Sequence, residues 1–382
     1  MTNPIIPYSG FEQGPIRPPS ESGSLLIRVT RNCPWNRCTF CGLYKGETFS
    51  QRPLADVLQD IDTVRRHVEL LRQSASSGEP VAGLPFPGEM EWSEQMAWQA
   101  ARHWVRAGAR SVFLQDSNSL IIKPDHLVVI LLHLKAAFPR IERITSYARS
   151  QTIARISDVD LSRIAAAGLN RIHIGLESGC DRVLAQVNKG ANQQTHIEAG
   201  CKVKRAGMQL SEYFMPGLGG RTLSRAHALE SAAALNRINP DFIRLRTLAI
   251  PESIPLAQES VNGAFTKMGD REIAEELLLF LQSLAGITSQ VKSDHILNLF
   301  EEIDGVLPDD RERMIAVIWR FLAMESEEQV LYQIGRRTGI FRRLDDCRDP
   351  GLRRQAQQYV AQWSVTPDNV DAICAQLMQR FI

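Results

Sequence analysis

The sequence predicts an α/β fold: a partial parallel (βα)6 barrel of the TIM-like kind, followed by a helical C-terminal region. Three observations predict it. Between about residues 24 and 255, six short apolar, β-prone runs alternate mainly with stretches whose apolar residues recur every three or four positions. Polar clusters follow these runs directly, as they do at the carboxyl ends of parallel strands. Beyond about Pro255 the strand signal disappears, and residues 270–382 read almost wholly as helix. Such alternation implies parallel β/α units rather than an antiparallel sheet.

Residues 1–23 form an irregular arm, marked by Pro4, Pro7, Pro15, Pro18 and Pro19. Leu25 to Val29 is the first strand, and a loop with three cysteines leaves its end. A helix from about Leu54 to Arg72 is read from Val57, Ile61, Val64, Val68 and Leu71. Residues 73–91 read as a surface loop, and a helix over Ser93–Ala107 is closed by Gly108. The next strands are Ser111–Leu114 and Ile141–Tyr147, with a helix over Pro124–Ala137 between them. The cycle repeats with a helix over Asp158–Ala167, a strand over Arg171–Leu176 and a helix over Gln194–Ala206. Strands over Gln209–Met215 and Asp241–Ile250 enclose a helix over Thr222–Asn236. The domain reading is an arm over 1–23, a core barrel over 24–255 and a helical region over 256–382.

A chain of 382 residues is long enough for a barrel plus an additional domain. Lys and Arg number 44 against 43 Asp and Glu, so the net charge of +1 makes no case for a nucleic-acid partner. No apolar run approaches the roughly 20 residues that span a bilayer, and no basic start leads into an apolar leader segment. Cys180, Cys201, Cys347 and Cys374 lie far apart and offer no disulfide framework. The expected compartment is a reducing cytoplasm.

Cys33, Cys38 and Cys41 stand in the spacing C-x4-C-x2-C within TRNCPWNRCTFCGL. Three thiolates on one loop need a metal or each other. A disulfide would strand the third, and a tetrahedral zinc site wants a fourth ligand. No second C-x2-C or His pair stands nearby. An iron–sulfur cube held by three cysteines, with one iron left open, fits the count.

This loop resembles the signature of the radical S-adenosylmethionine (SAM) superfamily, C-x3-C-x2-C with an aromatic residue before the last cysteine. Phe40 takes the aromatic place, and one extra residue lies between the first two cysteines. The resemblance implies a 4Fe-4S cluster on Cys33, Cys38 and Cys41, with SAM chelating the open iron. It implies reductive cleavage of SAM to a 5′-deoxyadenosyl radical that abstracts hydrogen from substrate. It also implies an external electron donor such as flavodoxin or ferredoxin.

The remaining site residues follow by position. Gln115, Asp116 and Ser117 take the place of a Gly-Gly-Glu-like motif that contacts the methionine amino group, with Asp116 as the carboxylate. The alternative is that Asp116 and Asn118 shape a turn or cap a helix. Tyr147 and Arg149 are candidates for the SAM carboxylate, or braces for a loop. Glu177 and Ser178 in GLESG resemble the segment that reaches the ribose or methionine. EYFMPGLGG resembles the segment bordering adenine, where Gly217 lets backbone approach the ligand. Arg244 and Arg246 alternate with Ile243 and Leu245, face one way, and would bind an acidic substrate or pair with carboxylates. Asp294, His295 and Asn298 are read at helical spacing, with His295 as a structural hydrogen bonder or a proton donor.

The loop is closer in style to the elongator, methylthiotransferase and cobalamin-dependent branches, without a cobalamin-binding, RNA-binding or acetyltransferase-like segment. The reading is therefore a radical SAM enzyme acting on an unidentified small or other organic substrate. A zinc protein using the same cysteines, an iron–sulfur electron-transfer module, and a coproporphyrinogen-oxidase-like reaction are the alternatives.

Overall fold

The apolar runs are strands in this structure, a computed structural model that describes residues 8–76, 88 and 91–381. The first, β1 (Leu25–Arg28), buries Leu25, Leu26 and Ile27 in succession. Continuous burial, rather than alternation, marks a strand covered on both faces. It is followed by β2 (Thr30–Arg31), which pairs antiparallel with β3 (Ser50–Gln51). The whole excursion from Asn32 to Phe49 is thus closed at its root.

Helix α1 (Leu54–Ser76) buries Val57, Ile61, Val64, Val68 and Leu71 on one face, as their spacing requires. It runs four residues past Arg72. Most of the loop expected over 73–91 lies outside the described residues, as do Pro4 and Pro7 of the arm. Then come α2 (Trp92–Arg106), β4 (Ser111–Gln115), α3 (Pro124–Ala137), β5 (Arg143–Ala148) and the short α4 (Ser150–Arg155). Ser157 caps α5 (Asp158–Ala167) by accepting from the Asp160 N–H, and Gly168 ends it with φ +125°. The cycle continues with β6 (Arg171–Glu177), α6 (Asp181–Gln186), α7 (Gln193–Arg205), β7 (Gln209–Phe214), α8 (Gly220–Ile238) and β8 (Phe242–Leu245).

Past β8 the chain is mostly helical: α9 (Pro255–Val261), α10 (Asp270–Ser283), α11 (Arg311–Leu322), α12 (Ser326–Arg337), α13 (Pro350–Gln362) and α14 (Val370–Met378). Two strands interrupt it where no strand was expected, β9 (Gln290–Lys292) and β10 (Gly305–Val306), the second at the break in the helical pattern near Gly305–Pro308. Three and two residues are too few to display a period of two, so the sequence pattern could not announce them. The sheet therefore has eight strands, ordered β1-β4-β5-β6-β7-β8-β9-β10. It is mostly parallel, with helices packed on it, which is the α/β barrel-like class read from the sequence.

By compactness the chain divides into two units. One comprises Met1–Pro34, Leu43–His173 and Lys202–Gln209; the other comprises Trp35–Gly42, Ile174–Cys201 and Leu210–Ile382. In the first, β1, β4 and β5 are parallel neighbours, with Leu25 opposite Val112 and Val112 opposite Ile144. In the second, β7, β8 and β9 are parallel and β10 closes antiparallel on β9. Among the described residues no helix is long and apolar enough to cross a membrane.

The stretch Ser293–Leu299 is a turn-rich loop, not a helix. The helical spacing read for Asp294, His295 and Asn298 is therefore corrected. Their fixed geometry comes instead from side chains that hold the loop's carbonyls, described below. The paired direction read for Arg244 and Arg246 also separates: β8 stops at Leu245, leaving Arg244 buried and Arg246 exposed.

Candidate functional site

In the first unit the site is built on Asp116, directly after β4 at φ +78°. Its carboxylate is fully buried. One oxygen accepts from the Arg28 Nε at 2.7 Å and the Asn32 backbone N–H at 3.2 Å; the other accepts from the Tyr44 hydroxyl at 2.5 Å. Asn32 immediately precedes Cys33, and Tyr44 stands three residues after Cys41. Burial, then the hydrogen bond to Asp116, push the Tyr44 hydroxyl far above its ordinary pKa, so it remains a donor. Asp116 thus joins the end of β1, the entry to the cysteine loop and the residue past its exit.

The neighbours of Asp116 are also engaged. Gln115 accepts from the Gly14 N–H at 2.8 Å and donates to the Gly14 and Ile16 carbonyls, which fixes the arm. Ser117 donates to the Asn32 carbonyl at 3.3 Å. Asn118 accepts from the Arg149 N–H at 3.1 Å and donates to Thr152, tying this turn to the start of α4. Tyr147 is half-buried and meets Phe113 edge-on, with ring centroids 5.5 Å apart.

In the second unit, Trp35–Gly42 of the cysteine loop docks on the turn after α6. Trp35 donates through Nε1 to the Asn188 carbonyl at 2.8 Å, and Thr39 N–H donates to the Val187 carbonyl at 3.0 Å. The Leu256 N–H reaches the Thr39 carbonyl at 3.0 Å. Gly190, at φ +71°, lies against the Trp35 ring, where a Cβ would come within 2.4 Å of it. Phe40 packs on a core of Cys180, Val183, Val187, Met215, Leu218 and Leu256. Lys189 places its ammonium 5.7 Å from the Phe40 ring centroid and 3.2 Å from a Glu177 oxygen.

Glu177 ends β6 at φ +60° and folds back over Gly175, where a Cβ would stand 2.1 Å from its Oε1. That close approach is why Gly175 carries no side chain. Ser178 is buried, hydrogen-bonded to His227 Nδ1 at 2.8 Å, and accepts from the Cys180 N–H. The other ring nitrogen of His227 lies 3.0 Å from the Met215 carbonyl. The Gly217 N–H donates to Glu276 at 2.7 Å. Glu212, on β7, is a buried carboxyl whose oxygens accept no hydrogen bond of ordinary geometry among the described residues. Burial and then the Glu177 carboxylate push its pKa well above the carboxylate range; Lys189 and the Leu176 N–H offset this in part.

The sequence reading located the cysteines and, except for the strand read to Ile250 that ends at Leu245, the strand ends to within a residue, but it missed Arg28, Tyr44, Trp35 and Lys189. Tyr44 reaches Asp116 across 72 residues, and no local pattern carries such a pairing. The readings of Gln115, Asp116 and Ser178 as ligand contacts meet side chains that the fold itself already engages.

The Radical SAM superfamily matches residues 27–232, more than half of the chain, from within β1 to within α8. The chain belongs to the radical SAM superfamily. The cofactors of this superfamily are a 4Fe-4S cluster and SAM. The donor set suits the cluster: three thiols, Cys33, Cys38 and Cys41, lie on a segment without regular structure, and all three are partly accessible. Among the described residues no three His, Cys, Asp or Glu side chains are grouped as ligands of a metal ion.

Solved structures to which the chain is similar include the archaeal Methanocaldococcus infernus Elp3 with an N-terminal deletion, at 12% identity and TM-score 0.44, covering 79% of this chain and 63% of that one. Coproporphyrinogen III oxidase (HemN) from Escherichia coli aligns at 15% identity and TM-score 0.45, covering 68% and 52%. Methylornithine synthase (PylB) aligns at 15% identity and TM-score 0.39, covering 78% and 80%. The chain spans less than two thirds of the length of the first two. No curated protein sequence matches the chain.

Proposed function

We propose that this radical SAM protein cleaves SAM reductively and removes a hydrogen atom from an organic substrate, with Cys33, Cys38 and Cys41 as the cluster ligands. One observation carries the reading: three thiols stand on one loop directly after β1 and β2 in a chain of this superfamily. When bound, the cluster supplies an electron to the sulfonium of SAM, and the carbon radical so released takes hydrogen from substrate.

The chain's own residues position and shield that chemistry. Asp116 acts on the loop by holding its entry and exit, with Gln115 and Ser117 fixing the same turn; contact with SAM comes second in this reading. Tyr147 and Arg149 stand at and after the end of β5 and serve the SAM carboxylate. Glu177, paired with Lys189 beside Phe40, serves its ribose and methionine. Ser178 and Gly217 shape the backbone near adenine. Residues 256–382 form the substrate side, and a small electron carrier of the flavodoxin or ferredoxin kind supplies the electron. The thiol chemistry suits a reducing cytoplasm.

The ligand assignment is tested by Cys38→Ala. Anaerobic reconstitution should leave this variant without the iron and sulfide of the parent, at unchanged far-ultraviolet circular dichroism. Full iron occupancy in the variant would contradict the assignment.

A further inference from the structure

Arg246 follows the last residue of β8 and is exposed, and among the described residues no carboxylate bonds its guanidinium. Its backbone is nevertheless fixed. The Arg246 N–H donates to the Phe214 carbonyl at 3.0 Å. The residues on either side are clamped to one side chain: Asn298 donates to the Leu245 carbonyl at 2.8 Å and accepts from the Thr247 N–H at 2.9 Å and the Thr247 hydroxyl at 3.1 Å. Asn298 in turn closes a turn onto the His295 carbonyl at 3.0 Å. Asn298 thereby ties the backbone on both sides of Arg246 to the turn that begins at His295.

The loop that carries His295 has no regular structure, yet buried side chains hold it from several directions. Arg337 donates to the Leu297 carbonyl at 2.6 Å, and Arg336 reaches the Asn298 and Leu299 carbonyls, each at 3.2 Å. Tyr332 donates to the Leu299 carbonyl at 2.9 Å, and Ser293 to the Phe300 carbonyl at 2.5 Å. A loop so braced presents a side chain in one place.

The chemistry presented there is one-sided. His295 Nδ1 accepts from the Leu297 N–H at 3.3 Å, so the neutral ring carries its proton on Nε2 and offers it as a donor. The nearest carboxylate, Asp294, is paired with Arg244, which also bonds Ser211. Arg246 and His295 thus offer two donor groups at this clamped turn, and Asp294 already has Arg244 as its partner. Burial and the Arg246 cation lower the His295 pKa to about 4, with Asp294 opposing. An anion is the ligand that both groups favour.

We propose that Arg246 and His295 form a subsite for an oxyanion of the substrate, a carboxylate or a phosphate, at the carboxyl end of β8. This names a substrate class for the site and rests on the reading of residues 256–382, which carry His295, as its substrate side. The groups facing His295 are Arg246 from the end of β8 and Asp294 from its own loop; Arg336 and Arg337 of α12 are occupied by loop carbonyls.

The test follows the imidazole resonance of His295 by NMR in the full chain, assigned through His295→Gln, against pH and against added succinate or inorganic phosphate. No reductant, turnover or SAM is needed, so the result stands apart from the radical reading; repeating it in Cys38→Ala should give the same outcome. Either probe should raise the His295 pKa by about one unit or more. Arg246→Gln should weaken the probe's apparent affinity at least about tenfold, while substitution of the exposed Arg271 of α10, Arg271→Gln, should leave it unchanged. No anion-dependent shift, or an equal shift in Arg246→Gln, would overturn the proposal. An Arg246-dependent shift produced by SAM alone would assign the subsite to the cofactor's carboxylate and overturn the substrate claim.

Discussion

Asp116 and Glu212 are both carboxyl groups removed from solvent, one just past β4 and one within β7, and they are held in opposite ways. Asp116 has its charge met by Arg28 and its oxygens filled by Tyr44 and the Asn32 N–H. Glu212 has no such partners among the described residues, and its surroundings favour the neutral acid. A buried ion that is paired and hydrogen-bonded becomes part of the construction; one that is not gives up its charge. The same residue class at two strands therefore predicts different consequences of substitution.

The largest effect belongs to Asp116. Asp116→Ala leaves Arg28 without its partner and releases both Asn32 and Tyr44, so stability should fall by about 3 kcal/mol. Denaturant unfolding of the apo chain measures this, and reconstituted iron should fall with it because the loop root is freed. A loss below about 1 kcal/mol would mean that the pairing is no more than a surface ion pair in its effect.

Gly190→Ala comes next. It forces a side chain into φ +71° and against the Trp35 ring, at a cost of about 1–3 kcal/mol. The change should appear as faster limited proteolysis within residues 35–42, with α12 to α14 unaffected. Unchanged cleavage would show that the Trp35 contact with Gly190 does not hold this part of the cysteine loop.

Glu212→Gln should do least and should reverse sign against Asp116. A carboxyl whose folded pKa is raised loses stability as pH climbs from its unfolded value, about 4.3, toward the folded one, because the unfolded chain releases its proton first. Glutamine removes that slope. The variant should sit within about 1 kcal/mol of the parent at pH 5 and gain on it by pH 8, read as Tm at the two pH values. A variant that loses ground as pH rises would show that Glu212 is ionised and paired.

Much of this architecture was legible in the sequence, for reasons visible in single elements. Val57, Ile61, Val64, Val68 and Leu71 announce α1 because one face of a long helix repeats often enough to be counted. The cysteine loop is legible because its three ligands are near neighbours in sequence. The strands β9 and β10 were not, since Val291 is the one fully buried residue in a three-residue strand. Asp294, His295 and Asn298 matched a helical spacing, yet Arg336 and Arg337, some forty residues away, decide that the segment is a loop. The role of Asp116 was half legible: position marked it, but its partner Tyr44 could be found only in three dimensions. Long-range pairing is the part that local periodicity does not encode.

The most direct test of the central claim is formation of 5′-deoxyadenosine, measured by mass spectrometry after anaerobic reconstitution with iron and sulfide and addition of dithionite and SAM. The account predicts product from the parent chain and none above background from Cys38→Ala. A parent chain that holds its cluster, binds SAM and yet yields no more 5′-deoxyadenosine than Cys38→Ala would contradict it.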